Sequence, residues 1–348
     1  GVGSLSLVAS DLVVTDNVQV GSNSAIYDDD NGASYTSSLT SQGSLEMSSS
    51  SSLTADGLFI ANTKYSIGTG TVDDSTLNLR SLSIAGGSAD ANEASALANG
   101  TVGTLLLTDS TVNFSGTQDM GVFVVGQSNN LVGSATLNSS TINNVRYLEI
   151  GGDRNPDDNV GGTGTLTLND STMIQRSSET TDEHGKFNAV IGREGGVGTI
   201  NLNNSTFTTI VDSVLTQNDS DGYFYSGWHV GRNPSDLSIG DQYDGTLTMV
   251  GSDLSLLNEG AGNADLYFGV GPRAGGRGLL DMSADSSLTI NSNNENAVES
   301  GFYAGNRTDS YGNWLVDNSS ILVSGSAQLN SVQIGNRTAG DATFQNGG

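Results

Sequence analysis

The stretch GTLTLNDST, residues 164–172, returns along this chain in altered forms: GTLLLTDST at 103–111, GSATLNSST at 133–141, GTINLNNST at 198–206 and GTLTMVGS at 245–252. A motif that recurs at a near-constant interval constrains a fold more than composition does. Each copy is one small structural unit that cannot bury a core alone, so burial must come from stacking one copy on the next.

Anchored on its leading glycine, the repeat begins at Gly3, Gly43, Gly70, Gly103, Gly133, Gly164, Gly198, Gly245, Gly278, Gly312 and, in degenerate form, Gly340, at intervals of 27 to 47 residues. Apolar side chains stand two and four residues after the glycine, as in Leu105/Leu107, Leu166/Leu168, Ile200/Leu202 and Trp314/Val316. That alternation is the period of a strand buried on one face. Seven residues after the glycine comes a serine, at 10, 50, 110, 140, 171, 205, 252 and 319, with Asp285 as the one substitute. The residues before it are mostly Asn, Asp, Gly or Ser, whose side chains bond their own backbone in turns. A second short strand follows, as in Val112/Phe114, and a third closes each unit before another glycine, with inward pairs such as Phe123/Val125, Leu148/Ile150, Ala189/Ile191 and Val332/Ile334.

Three short strands per unit, each pairing in parallel with its counterpart about 4.8 Å away, build an all-β, single-stranded, right-handed parallel β-helix. About ten turns give a rod on the order of 48 Å long. The copy at Gly70 reads GTVDDSTLNL and brings Ser75 two residues early, which predicts a shortened first strand and a local irregularity. An insertion, YDDDNGASYTS, follows the first unit at 27–37. The longest variable segments are 152–162, 175–188, 216–227 and 232–244, read as loops on one or two faces of the rod. Residues 1–348 are read as one β-helix domain. The opening GVGSLSL and the closing GDATFQNGG both fall within the repeat, so the expectation is a segment of a longer protein or a fibre subunit whose terminal turns are covered by further residues or by the next copy.

The composition could also describe a disordered polar chain, with 47 Gly and 14% charged residues. The patterned apolar residues exclude that. With 38 acidic against 12 basic residues the net charge is −26, which argues against nucleic acid and anionic membranes and favours solubility. No apolar run is long enough to span a bilayer, and the absence of cysteine excludes disulfides.

A glycine, Thr-Leu-Thr-Leu, an Asn/Asp-x-Ser turn and a β-rich stretch closing on Ile-Gly or Val-Gly resemble the passenger-associated repeat of bacterial autotransporters, over residues 3 to 340. The resemblance implies a right-handed β-helix from a secreted or surface-anchored protein. It does not imply one activity, because passengers include adhesins, proteases and lipases.

Catalytic candidates are sparse. His184 lies in an acidic polar segment and His229 should point outward between Trp228 and Val230; both read as surface residues. No GxSxG elbow and no phosphate-binding loop is present. Asp28, Asp29 and Asp30, and Asp157 and Asp158, are the candidates for calcium, which takes six to eight oxygens, although solvated turns are the preferred reading. Arg154, Arg193, Arg232, Arg273, Arg307 and Arg337 each follow a closing glycine by one to three residues. They should form a column along one edge, either a stripe for sulfated glycans or carboxylates or, preferably, a set of pins for the adjacent turns. Asn138, Asn169, Asn203 and Asn318 suggest a stacked amide column. The leading functional reading is a non-enzymatic extracellular shaft or adhesive fibre of a bacterial surface protein, needing no cofactor. Its partners would be cell-surface or matrix glycans or proteins, or further copies end to end. The alternative is a polysaccharide lyase or glycoside hydrolase of the β-helix type, which would need closely placed carboxylates.

Overall fold

The structure, a computed structural model, describes residues 1–21, 26–28, 33–35, 41–63, 66–86, 101–115, 121–127, 131–152, 161–177, 189–193, 196–211, 224–232, 245–259, 264–271, 276–293, 299–304, 311–327, 329–334 and 340–345. Strand follows strand with the period the repeat demands. First strands of successive units form an 11-stranded sheet, second strands a 10-stranded sheet and third strands another 10-stranded sheet. Every pairing within these three sheets is parallel, and the units wind as a right-handed β-helix. The insertion after the first unit contributes a separate antiparallel pair, Ile26–Asp28 with Ala33–Tyr35.

Alternate residues of the first strands enter one continuous core. In Thr163–Asn169, Leu166 and Leu168 are fully buried while Thr165 and Thr167 remain partly exposed. The stack is in register: Leu105, Ala135, Leu166, Ile200 and Leu247 follow one another across five strands. Toward the far end the interior becomes aromatic, with Phe268 stacked on Phe302 at 5.5 Å and Phe302 against Trp314 at 4.5 Å.

The leading glycine has a steric cause. At Gly43, Gly68, Gly103, Gly133, Gly164 and Gly198, where a third strand hands over to the first sheet, the backbone runs against the glycine Cα. A Cβ at Gly164 would lie 2.1 Å from the Val125 carbonyl oxygen and 2.4 Å from the Gly151 nitrogen; at Gly198 the Ile150 carbonyl stands at 2.1 Å. The closing residue is left-handed, as at Gly126 (φ +64°) and Gly151 (φ +63°), with Ala61 and Ala85 in the same role earlier in the rod.

The register corrects the repeat at one point. Gly43 and Gly103 both pair with Gly68, not Gly70, and the strand Ser66–Asp73 is eight residues long, so no shortening occurs there. Gly70 instead takes the core position of Leu45 and Leu105. The missing side chain is made good by the ends of Leu105 and Ile60, whose Cδ1 atoms would lie 2.8 and 2.9 Å from a Cβ at Gly70.

The serine series needs a similar correction. Ser10, Ser51, Ser75, Ser110, Ser140, Ser171, Ser205, Ser252, Ser286 and Ser319 form one column in which each backbone N–H donates to the hydroxyl of the serine in the next turn, at 3.0–3.2 Å. Ser50 and Asp285 are not members. Each belongs to a corner with one extra residue, where Ser49 and Ser50, or Ala284 and Asp285, are both left-handed in place of a single such residue. The amide column is real for Asn138, Asn169 and Asn203, linked at 2.9 and 2.8 Å, but Asn318 donates instead to Asp285, at 2.7 Å, because it stands one residue before its serine rather than two. A second amide ladder, Asn78, Asn113 and Asn143, runs along the second sheet at 3.1 and 3.0 Å.

Toward both ends of the described residues the inward row is less completely buried. Leu5, Leu12, Val14 and Val18 of the first turn are only partly buried, and Val332 is 51% exposed although it stands in the inward row on Phe302. Among the described residues Leu329–Ile334 is the last strand of the third sheet.

Candidate functional site

The third strands read differently from the first. VFVV at 122–125 and AVI at 189–191 are unbroken apolar runs, the mark of a strand buried on both faces. The outward row confirms it: Val124, Glu149 and Val190, consecutive in register, are 3%, 0% and 1% exposed. Tyr147 and Val190 pack together, with Val122 against them, outside the main core. Glu149 is therefore a carboxylate sealed beneath the outer surface of the rod.

Its partners come from three turns. The Tyr147 hydroxyl donates to Glu149 Oε2 at 2.7 Å, and Gln127 Nε2 from the preceding turn donates to the same oxygen at 3.2 Å. From the following turn, Arg193 Nη1 donates to the Tyr147 hydroxyl at 3.5 Å. Among the described residues Glu149 Oε1 accepts no hydrogen bond. It lies where a side chain at Gly152 would have to be, 2.2 Å from an ideal Cβ, so only glycine leaves room for it. Burial, and then the neighbouring Glu149 carboxylate, hold the Tyr147 hydroxyl far above the usual phenol range, so it stays a neutral donor. A second buried polar pair lies inside the rod: Thr209 donates to Gln175 Oε1 at 3.0 Å, and Gln175 Nε2 to the Arg146 carbonyl at 3.3 Å. Gln175 is fully buried on the strand Thr172–Ser177, not in the loop assigned to it from sequence. Likewise Gly152 ends a third strand, and residues 224–227 begin one.

Of the arginine series, Arg193 and Arg232 are register neighbours on adjacent third strands. Arg193 is half-buried and reaches back to the Tyr147 hydroxyl of the turn before. Arg154, Arg273, Arg307 and Arg337 lie outside the described residues, as do Asp29, Asp30, Asp157, Asp158 and His184. Asp28 closes the short strand Ile26–Asp28 opposite Ala33. His229 pairs in register with Val190 and Gly269 of the neighbouring third strands. Among the described residues no group of three His, Cys, Asp or Glu is placed to hold a metal. The ion pair Arg80–Asp56, at 3.2 Å, joins side chains that are 41% and 47% exposed, and is of the surface kind that adds little.

Sequence reasoning missed Gln127, Tyr147 and Glu149. The signal for them was the apolar run on either side, which marks an outer face that is covered rather than wet. Chemically the cluster joins a carboxylate to two neutral donors and a guanidinium, and so ties together the turns that carry Gln127, Glu149 and Arg193.

Comparisons of the chain with protein-family models, with curated proteins and with solved structures return no match. The fold by itself defines the class: a parallel β-solenoid whose corners are fastened by columns of polar side chains.

Proposed function

We propose that this chain is a structural solenoid of the bacterial cell surface, a stiff extracellular shaft with adhesive capacity. The observation that carries this reading is the serine column, which runs from Ser10 to Ser319 across ten successive corners. A column that repeats one bond nine times serves the length of the molecule, not one point on it. The amide ladders and the Glu149 cluster act in the same sense, each fastening a turn to its neighbours. The net charge of −26 suits an exposed protein that must not aggregate. Likeness of the repeat to autotransporter passengers supports an extracellular setting. End-to-end association of copies is the self-contact that parallel pairing of equivalent strands would permit.

Immunogold labelling of the native cells tests the setting: label outside the envelope is expected, and label confined to the cytoplasm refutes it. Incubation with a panel of polysaccharides tests the structural role. No new reducing ends and no unsaturated product are expected, and steady release of either would make the protein a glycan-degrading enzyme instead.

A further inference from the structure

The outer face of the first sheet is uncharged over its middle turns. The strands VGTLLLT, VGSATLN, TGTLTLN, VGTINLN and GTLTMV stack in register, without a bulge, across five consecutive turns. In a chain of net charge −26 these strands hold no charged residue and no aromatic one. Their outward positions are filled by threonine, with serine, asparagine, valine and a single leucine completing the array. Thr165 and Thr167 stand side by side on one strand, Ser134 and Thr136 below them, Thr199 and Asn201 above. None of these outward residues is buried. One residue before each leading glycine, Val102, Val132 and Val197 are 38%, 44% and 38% exposed, and Thr163 continues their row.

The geometry of such an array follows from strand pairing. Equivalent hydroxyls and methyls recur about every 4.8 Å along the rod and about every 6.7 Å along the strand. Threonine is stiff at χ1, so neighbours in a packed row share one orientation. The Asn138–Asn169–Asn203 ladder fixes one border of the face, and side-chain ladders of this kind hold a sheet flat. The result is a rigid two-dimensional lattice of alternating hydroxyl and methyl groups.

The chemistry of the face selects its occupant. A mineral surface would be met by ionised groups, and sugar rings by aromatic stacking; the face has neither. A second copy is a poor fit by size. The array covers roughly 20 Å by 20 Å from the strand spacings, about 400 Å², against about 800 Å² per partner in a stable complex. What remains is a periodic, uncharged, hydrogen-bonding surface that also accepts methyl groups, namely a lattice of ordered water. We propose that the first-sheet face between Val102 and Val250 adsorbs to ice, its hydroxyls bonding lattice oxygens and its methyls seated between them. This goes beyond the shaft reading and does not rest on it.

The test is growth of a single ice crystal in a nanolitre osmometer with the purified full chain. Thr167→Tyr and Thr136→Lys each disrupt the lattice at its centre, and Thr206→Lys alters an exposed threonine of the second sheet instead. Circular dichroism verifies that each variant keeps its fold. The wild type and Thr206→Lys should facet the crystal and open a gap between melting and freezing, and both face variants should lose faceting and gap. Rounded crystals with the wild type, or face variants as active as the control, overturn the proposal. It is also overturned if the face variants only abolish self-association in sedimentation, or only abolish binding to microcrystalline cellulose, without an effect on ice.

Discussion

Replacing Gly164 by alanine adds one methyl group at a place where the backbone leaves none. The new Cβ would stand 2.1 Å from the Val125 carbonyl oxygen and 2.4 Å from the Gly151 nitrogen. Real Cβ contacts stay beyond 3.0 Å, so one of the two chain segments must retreat by 0.9 Å, and both are backbone held in ladders. Overpacking of this kind costs about 1–3 kcal/mol, and two weakened ladder bonds add about 1 kcal/mol each. Alanine returns about 0.4–1 kcal/mol by restricting the unfolded chain. The net loss should be about 3 kcal/mol. Two controls isolate the cause. At Gly3 nothing lies within 4 Å of the added Cβ, so Gly3→Ala should be neutral or slightly stabilising. At Gly70 the obstacles are the mobile ends of Leu105 and Ile60, which can turn aside, so Gly70→Ala should cost less than Gly164→Ala. Urea unfolding followed by far-UV circular dichroism gives the three values, with the slope checked because long repeat arrays can lose two-state behaviour. Equal losses at all three positions would show that chain flexibility, not the corner collision, is what the repeat's glycine provides.

Leu166→Asp should cost several kcal/mol in the same assay, because it places an unpaired carboxylate in the core, whereas Thr167→Asp, one residue along and facing outward, should cost little. Tyr147→Phe should cost about 1–3 kcal/mol at neutral pH, since Glu149 Oε2 loses a buried donor. Above about pH 10 that difference should narrow by about 1.4 kcal/mol per pH unit, because the unfolded phenol then releases a proton that the folded protein retains; a difference constant through pH 11 refutes the buried phenol.

The period, the order of three strands and the inward residues could be read from the sequence because each first strand alternates cleanly, as in Leu166-Thr167-Leu168. Errors arose where alternation or spacing was ambiguous. The segment GTGTVDD offers two glycines two residues apart, so either could be the anchor; only the partner strands choose Gly68. The run of serines at 48–52 likewise hides which one enters the column, and the left-handed pair Ser49–Ser50 decides for Ser51. The Glu149 cluster was illegible for another reason. Its carboxylate sits at an outward position, and period two assigns such positions to water. That the third sheet is covered on its outer side is not carried by strand alternation, and only the apolar runs at 122–125 and 189–191 hinted at it. The arginine series was visible as a spacing, but the bond from Arg193 to Tyr147 depends on which way one half-buried side chain turns.

The serine corner has a consequence for how such a molecule can diverge. Most units place their column serine seven residues after the anchor glycine, but Ser51 and Ser286 stand eight residues after Gly43 and Gly278. Inside a strand one extra residue would turn every following side chain to the wrong face. Here it does not: Ser52 still pairs with Thr76, and Ser287 with Asp253. A second left-handed residue takes up the added length, and the serine bond resets the phase before the next strand begins. The corner thus works as an expansion joint. Insertions there are erased within one turn, so copies of the repeat can drift in length as well as in sequence while the rod keeps its alignment.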